Sequence, residues 1–290
     1  MIAVYKRELR ALFNNMLIWV YFAIFFLFSG IFCSVYNLYG GYSRFEIALP
    51  DLMIVLLIAI PILTMRSLSD ERKNRTDLLL SSLPIRTGDY VIGKYLALLT
   101  VNAITSGIMC IMPPFLGVYC VGKMNYLSAY AAILAFFLCS SALYAIGLFI
   151  SSLTDNVVVS ALISFAIMLS IYFMPIIVLL LPQTAVGSLI VLSVLAIIAG
   201  GITYIASKNL YASVFIVAII ETTLISLYFF MPDTLEGASA KVFSFISLTE
   251  RFDIFVQASL FDLSAIIYFI VIAIAFVFFT VQSCDRRRFI

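Results

Sequence analysis

Eight stretches of this chain are apolar for roughly the 20 residues that a helix needs to cross the hydrocarbon core of a bilayer. They fall at 16–38, 49–68, 93–119, 127–150, 157–181, 185–206, 211–231 and 263–283. Inside a bilayer no water satisfies the backbone, so each stretch must close its hydrogen bonds within a helix. The expected fold is all-α: a polytopic transmembrane helical bundle of about eight spans, with residues 1–290 forming one membrane domain. Composition agrees, because 64% of residues are hydrophobic and 11% charged, whereas soluble domains carry about 25% charged residues. The joints are polar or helix-breaking, as at Asp155-Asn156, Pro182-Gln183-Thr184 and Ser207-Lys208-Asn209.

Lys and Arg accumulate on the cytoplasmic side of short loops. With the N-terminus inside, 13 of the 17 lie inside; Arg44, Lys123, Lys241 and Arg251 lie outside. Both termini are then cytoplasmic. Residues 2–16 place Tyr5, Leu9, Leu12, Phe13 and Met16 on one helical face, with Lys6, Arg7 and Arg10 beside it. This pattern predicts an interfacial helix ahead of the first span. The first span is expected to be retained, since it is too long for the apolar region of a signal peptide.

Several function classes are excluded. The chain has no histidine, which removes His-based acid–base catalysis, His-ligated haem and H-E-x-x-H metal sites. The five cysteines, Cys33, Cys110, Cys120, Cys139 and Cys284, are odd in number and lack C-x-x-C spacing, arguing against a disulfide framework or metal site. A net charge of +2 without a basic stripe offers nothing to a nucleic acid. We find no catalytic constellation and expect no cofactor bound by this chain.

The stretch from Pro61 to Lys94 is the most informative: P-I-L-T-M-R-S-L-S-D-E-R-K-N-R-T-D-L-L-L-S-S-L-P-I-R-T-G-D-Y-V-I-G-K. Pro61 weakens or kinks its helix. The charges Asp70, Glu71, Arg72, Lys73 and Arg75 mark the membrane exit. Thr76 can then cap a short helix, Asp77 to Leu83, that stops before Pro84. Leu78, Leu79 and Leu80 make that helix apolar around most of its girth, so it must dock. Its own helices or the lipid surface are one possible seat; a cytoplasmic partner protein is the other.

Gly88 to Tyr95 fits G-x-x-x-x-G-K but has Tyr95 where a phosphate-binding loop needs Ser or Thr for Mg²⁺, and it leads into an apolar span rather than following a strand. ATP hydrolysis is therefore expected in a separate chain. Glu221 lies near the middle of the 211–231 stretch, where a carboxylate costs at least ~2.5 kcal/mol to insert. It is either a substrate, ion or proton site, or a protonated acid bonded near Thr222, Thr223 or Ser226. The 232–262 segment alternates charge with Phe243, Phe245, Phe252, Phe255 and Phe261, which predicts an interfacial or re-entrant helix.

Three blocks carry a resemblance. The run from Pro61 to Ile85, followed by Gly93-Lys94-Tyr95-Leu96-Ala97, is similar to the permeases of type-2 ABC exporters. Within that family it most resembles gliding-motility-associated permeases and those of copper-enzyme maturation systems. Tyr5-Lys-Arg-Glu-Leu-Arg-Ala-Leu-Phe13 resembles the family's amphipathic elbow helix, and residues 243–253 with 262–269 resemble the segment before its last span. Asp70 and Asp77 stand where the family usually has glutamates, and eight spans exceed the family's six.

The resemblance implies a non-catalytic permease subunit in a prokaryotic inner membrane, coupling to a separate ATPase subunit through a cytoplasmic coupling helix within 69–92. Glu71, Arg72, Thr76, Asp77, Leu78, Leu79 and Pro84 would sit at or beside that contact. ATP and Mg²⁺ would bind the partner, and a second permease copy or a related permease would complete the assembly. A stand-alone secondary transporter or channel is the alternative, for which Pro61, Pro113-Pro114, Pro175 and Glu221 supply broken or polar helices.

Overall fold

A computed structural model describes residues 1–74, 86–119, 125–207, 210–230, 235–258 and 262–288. All regular structure among them is helical. Six helical segments among the described residues are long and apolar enough to cross a membrane: Met16–Tyr39, Phe45–Lys73, Thr87–Tyr119, Tyr126–Leu153, Val157–Leu180 and Leu263–Arg286. The sixth and seventh expected stretches also form helices, Ala185–Ser207 and Leu210–Phe230. Their apolar parts, Ala185–Gly201 and Ser213–Phe229, are shorter than the other six.

The chain divides into two compact units, residues 1–172 with 251–290, and residues 173–250. In the first unit α1 (Ile2–Phe13) is amphipathic, and Asn15 ends it by capping the next helix, accepting from the Leu17 amide at 3.1 Å. α2 (Met16–Cys33) is apolar all round and widens into a π-helical turn, Ser34–Tyr39. α3 (Leu49–Thr64), expected to weaken or kink at Pro61, continues through it and ends at the turn Met65–Ser67. The short α4 (Ser69–Lys73) follows. α5 (Thr87–Met109) and α6 (Met112–Tyr119) form one interrupted span.

α7 (Tyr126–Leu153) is the centre of this unit; 78% of its apolar window is buried, and it packs against α3, α5 and α13 (Leu263–Arg288). Its sequence explains why. Ala132, Ala135, Ala142, Ala145 and Gly147 let backbones approach closely, as small residues do between membrane helices. At Gly147 the approach is so close that a Cβ would lie 2.6 Å from Thr64 Oγ1 and 3.0 Å from Thr64 Cγ2. Phe136 fills the remaining space, contacting Phe25 and the edge of Phe252 at centroid distances of 6.2 and 6.1 Å.

Helix α8 (Val157–Leu180) carries the chain into the second unit. There α9 (Ala185–Ser207) and α10 (Leu210–Phe230) pair as an antiparallel hairpin, with Thr203 Oγ1 bonded to Ser213 Oγ at 3.2 Å. α11 (Ala238–Ile246) lies against α9, where Ser239 bonds Ser188 at 3.3 Å. The predicted single helix of the 232–262 segment is two. Ser247 stops α11 and starts α12 (Leu248–Ala258), its Oγ accepting from the Glu250 amide at 3.1 Å as an N-cap. Ser-x-x-Glu, a capping-box pattern in the sequence, marks this break.

Candidate functional site

Several charged residues of the first unit gather where α1, α4 and the start of α5 meet. Gly93 on α5 opens the contact: a Cβ there would lie 3.1 Å from Val4 Cβ, so α1 rests almost on the α5 backbone. This close approach brings Lys94 under α1. Its side chain is 1% exposed, and its Nζ lies 3.2 Å from Glu8 Oε2 and 3.1 Å from Glu71 Oε2. Nζ also donates to the Ser67 carbonyl at 2.6 Å and sits 5.1 Å from the centre of the Tyr90 ring. Burying an ammonium costs several kcal/mol, which two carboxylates, a carbonyl and a ring face together offset.

Arg7 closes the cluster from the outside, its Nη2 lying 2.6 Å from Glu8 Oε1 and 2.8 Å from Glu71 Oε1. Partial burial disfavours the guanidinium charge, but Glu8 and Glu71 outweigh it and hold Arg7 above its ordinary range. The Tyr90 hydroxyl donates to Glu71 Oε2. Glu71 thus accepts from α1 and twice from α5.

Arg72, next along α4, turns the other way. Its side chain is 8% exposed and donates to the Ser152 carbonyl at the end of α7, with Asp155 Oδ1 at 3.9 Å and Cys284 Sγ of α13 at 3.8 Å. Ser151 Oγ accepts from the Leu68 and Ser69 amides at 3.1 and 3.2 Å, pinning the start of α4 to α7. Thr87 donates to Asp285, joining α5 to α13. Two adjacent residues of one short helix therefore tie it to four others.

Of the residues expected at an ATPase contact, Glu71 and Arg72 are thus engaged within this chain. Thr76, Asp77, Leu78, Leu79 and Pro84 lie outside the described residues, in the segment that begins just after α4. Gly88 to Lys94 is helical throughout, which is not the geometry of a phosphate-binding loop. Glu221 lies on α10 and is half-buried. The hydroxyls of Thr222, Thr223 and Ser226 bond to the carbonyls of Ala218, Ile220 and Thr223 of their own helix.

Glu8 and Lys94 were missed by sequence reasoning. A signal existed: a lysine inside the apolar part of a helix needs a partner, and Glu8 is the one acid on α1. Functionally, the cluster is a charge-coupled junction. It has no nucleophile paired with a base, but it makes any displacement of α4 costly unless α1 and α5 follow.

Comparison with known proteins gives one match. Residues 6–212 fit the family model described as ABC-2 family transporter protein. No curated protein and no solved structure matches the chain. The family match covers well over half of the sequence, and it includes Arg7, Glu8, Glu71, Arg72 and Lys94, the residues that build the junction. The chain belongs to the ABC-2 transporter family, as a multi-pass membrane permease.

Proposed function

We propose that this permease is the membrane subunit of an exporter driven by a separate ATPase, which docks on the segment 69–92 that begins with α4. The observation that carries this reading is the Glu71–Lys94–Glu8 cluster, which fastens α4 to α1 and α5 at the root of that segment. Force applied to Leu78 and Leu79 by an ATPase groove would reach the bundle through α4. An apolar anchor ringed by charge suits a reversible, partner-specific contact.

On this reading α1 is the elbow helix, both termini are cytoplasmic, and the assembly contains two permease chains and two ATPases in a prokaryotic inner membrane. ATP and Mg²⁺ bind the ATPases alone. The resemblance to gliding-motility and copper-enzyme-maturation permeases makes those systems the first place to look for cargo. Helices α9 and α10 supply the hairpin beyond a six-span core, and Glu221 is its intramembrane polar site. The test is a mild-detergent pull-down of the tagged chain from native membranes, followed by mass spectrometry. Recovery of a soluble ATPase with Walker motifs supports the reading. The chain alone, across several detergents and with ATP analogues, would overturn it in favour of a stand-alone transporter.

A further inference from the structure

Beside the Lys94 cluster, α1, the start of α2, the end of α3 and α5 enclose an open cavity of about 530 Å³. That lies within the size range of small-ligand sites, about 300–1,000 Å³. Its apolar lining includes Leu12, Ile18, Leu63 and Leu98, together with Ile62, which is 38% exposed. Its charged lining comprises three cations, Arg7, Arg66 and Lys94, and three anions, Glu8, Asp70 and Glu71.

Those six are not equivalent. Arg7, Lys94, Glu8 and Glu71 neutralise one another. Arg66 is exposed and enters no ion pair among the described residues. Asp70 enters none among them either, and its Oδ1 accepts a long bond from the Asn74 side-chain Nδ2 at 3.4 Å. Among the described residues, the cavity therefore presents one available cation and one available anion together with apolar lining, beside an amphipathic helix. We infer that it holds the headgroup of a phosphatidylethanolamine, with its phosphate on Arg66, its ammonium on Asp70 and its acyl chains leaving past Ile62.

The chemistry separates this lipid from its neighbours. An anionic headgroup would use Arg66 but bring its charge towards Asp70 and leave that carboxylate without a cation. A choline headgroup has no N–H to donate to Asp70 and is best held by aromatic rings; none lines the cavity. A primary ammonium donates up to three charge-assisted bonds to carboxylates. This inference depends on the cavity and not on the ATPase contact, so it stands or falls separately from the exporter reading.

The experiment is native mass spectrometry of the full chain, purified in detergent with an equimolar mixture of dioleoyl phosphatidylethanolamine, phosphatidylcholine and phosphatidylglycerol. The expected result is at least about tenfold more retained phosphatidylethanolamine than either other lipid, a difference that one added charge-assisted bond supplies. Arg66→Gln and Asp70→Asn should each bring the ratio to within about twofold. Should either fail to purify, Ala11→Trp, at a position of α1 that lines the cavity, fills it and should remove the retained lipid. Equal retention of all three lipids, a preference for phosphatidylglycerol, or an unchanged preference in the variants overturns the assignment. So does displacement of the lipid by glycerophosphoethanolamine at equal concentration, which would identify a soluble ligand instead.

Discussion

Lys94 Nζ and Glu71 Oε2 lie 3.1 Å apart, joining the inner face of a membrane helix to the root of the segment expected to meet an ATPase. The lysine is almost fully enclosed, whereas Arg7, which shares the same carboxylates, keeps 47% of its side chain exposed. Equal formal charges in one cluster thus carry unequal energetic weight.

That asymmetry predicts unequal losses. Lys94→Met leaves Glu8 and Glu71 facing each other without their buried cation, and should destabilise the protein by about 3 kcal/mol. Arg7→Met should cost less than about 1 kcal/mol, because an exposed pair is screened by solvent. Denaturant titration of both variants in detergent micelles measures the difference, and equal losses would contradict the burial argument.

Replacing Leu79 with Asp places a charge on the apolar anchor of the proposed coupling segment. We expect normal membrane insertion with loss of ATPase co-purification. Undiminished co-purification would remove Leu79 from the docking surface.

Two glycines should respond oppositely to alanine. At Gly147 a methyl group meets Thr64, whose hydroxyl is bonded to the Ile60 carbonyl and has little room to turn. Overpacking there should cost about 1–3 kcal/mol. At Gly107 a methyl group meets nothing within 4 Å, so Gly107→Ala should be neutral or stabilise by up to about 1 kcal/mol through helix propensity. A thermal-shift series on the two variants is sufficient to rank them.

Glu221→Gln removes a carboxylate from α10 without changing its shape. If that carboxylate takes part in transport, substrate-stimulated ATP hydrolysis by the reconstituted complex should fall at least about tenfold, as for loss of a charged contact. Full retention of stimulation would make Glu221 a tolerated polar residue of the α9–α10 hairpin.

The helical content and the positions of the long apolar segments were legible in the sequence because lipid imposes one rule on every backbone group. α7 shows this: expected at 127–150, it spans Tyr126–Leu153. Short-range devices were less legible. The stop at Ser247 was present as a capping pattern, yet apolar neighbours on both sides concealed it. The helix expected to be weakened or kinked at Pro61 runs on to Thr64 because proline removes one donor but leaves the remaining helix bonds able to form. The Lys94 cluster was the least legible, since it assembles acids from α1 and α4 whose separation in sequence carries no periodic signal.

The close rest of Val4 on Gly93 also constrains the order in which the protein is built. Glu8 is synthesised long before Lys94, so α1 cannot make this contact until the lysine's helix has formed. Until then the lysine has a route into the bilayer only near the headgroups, where its ammonium remains hydrated. Docking of α1 therefore waits for that helix, and a chain whose α1 is held elsewhere would leave Lys94 with only one of its two carboxylates.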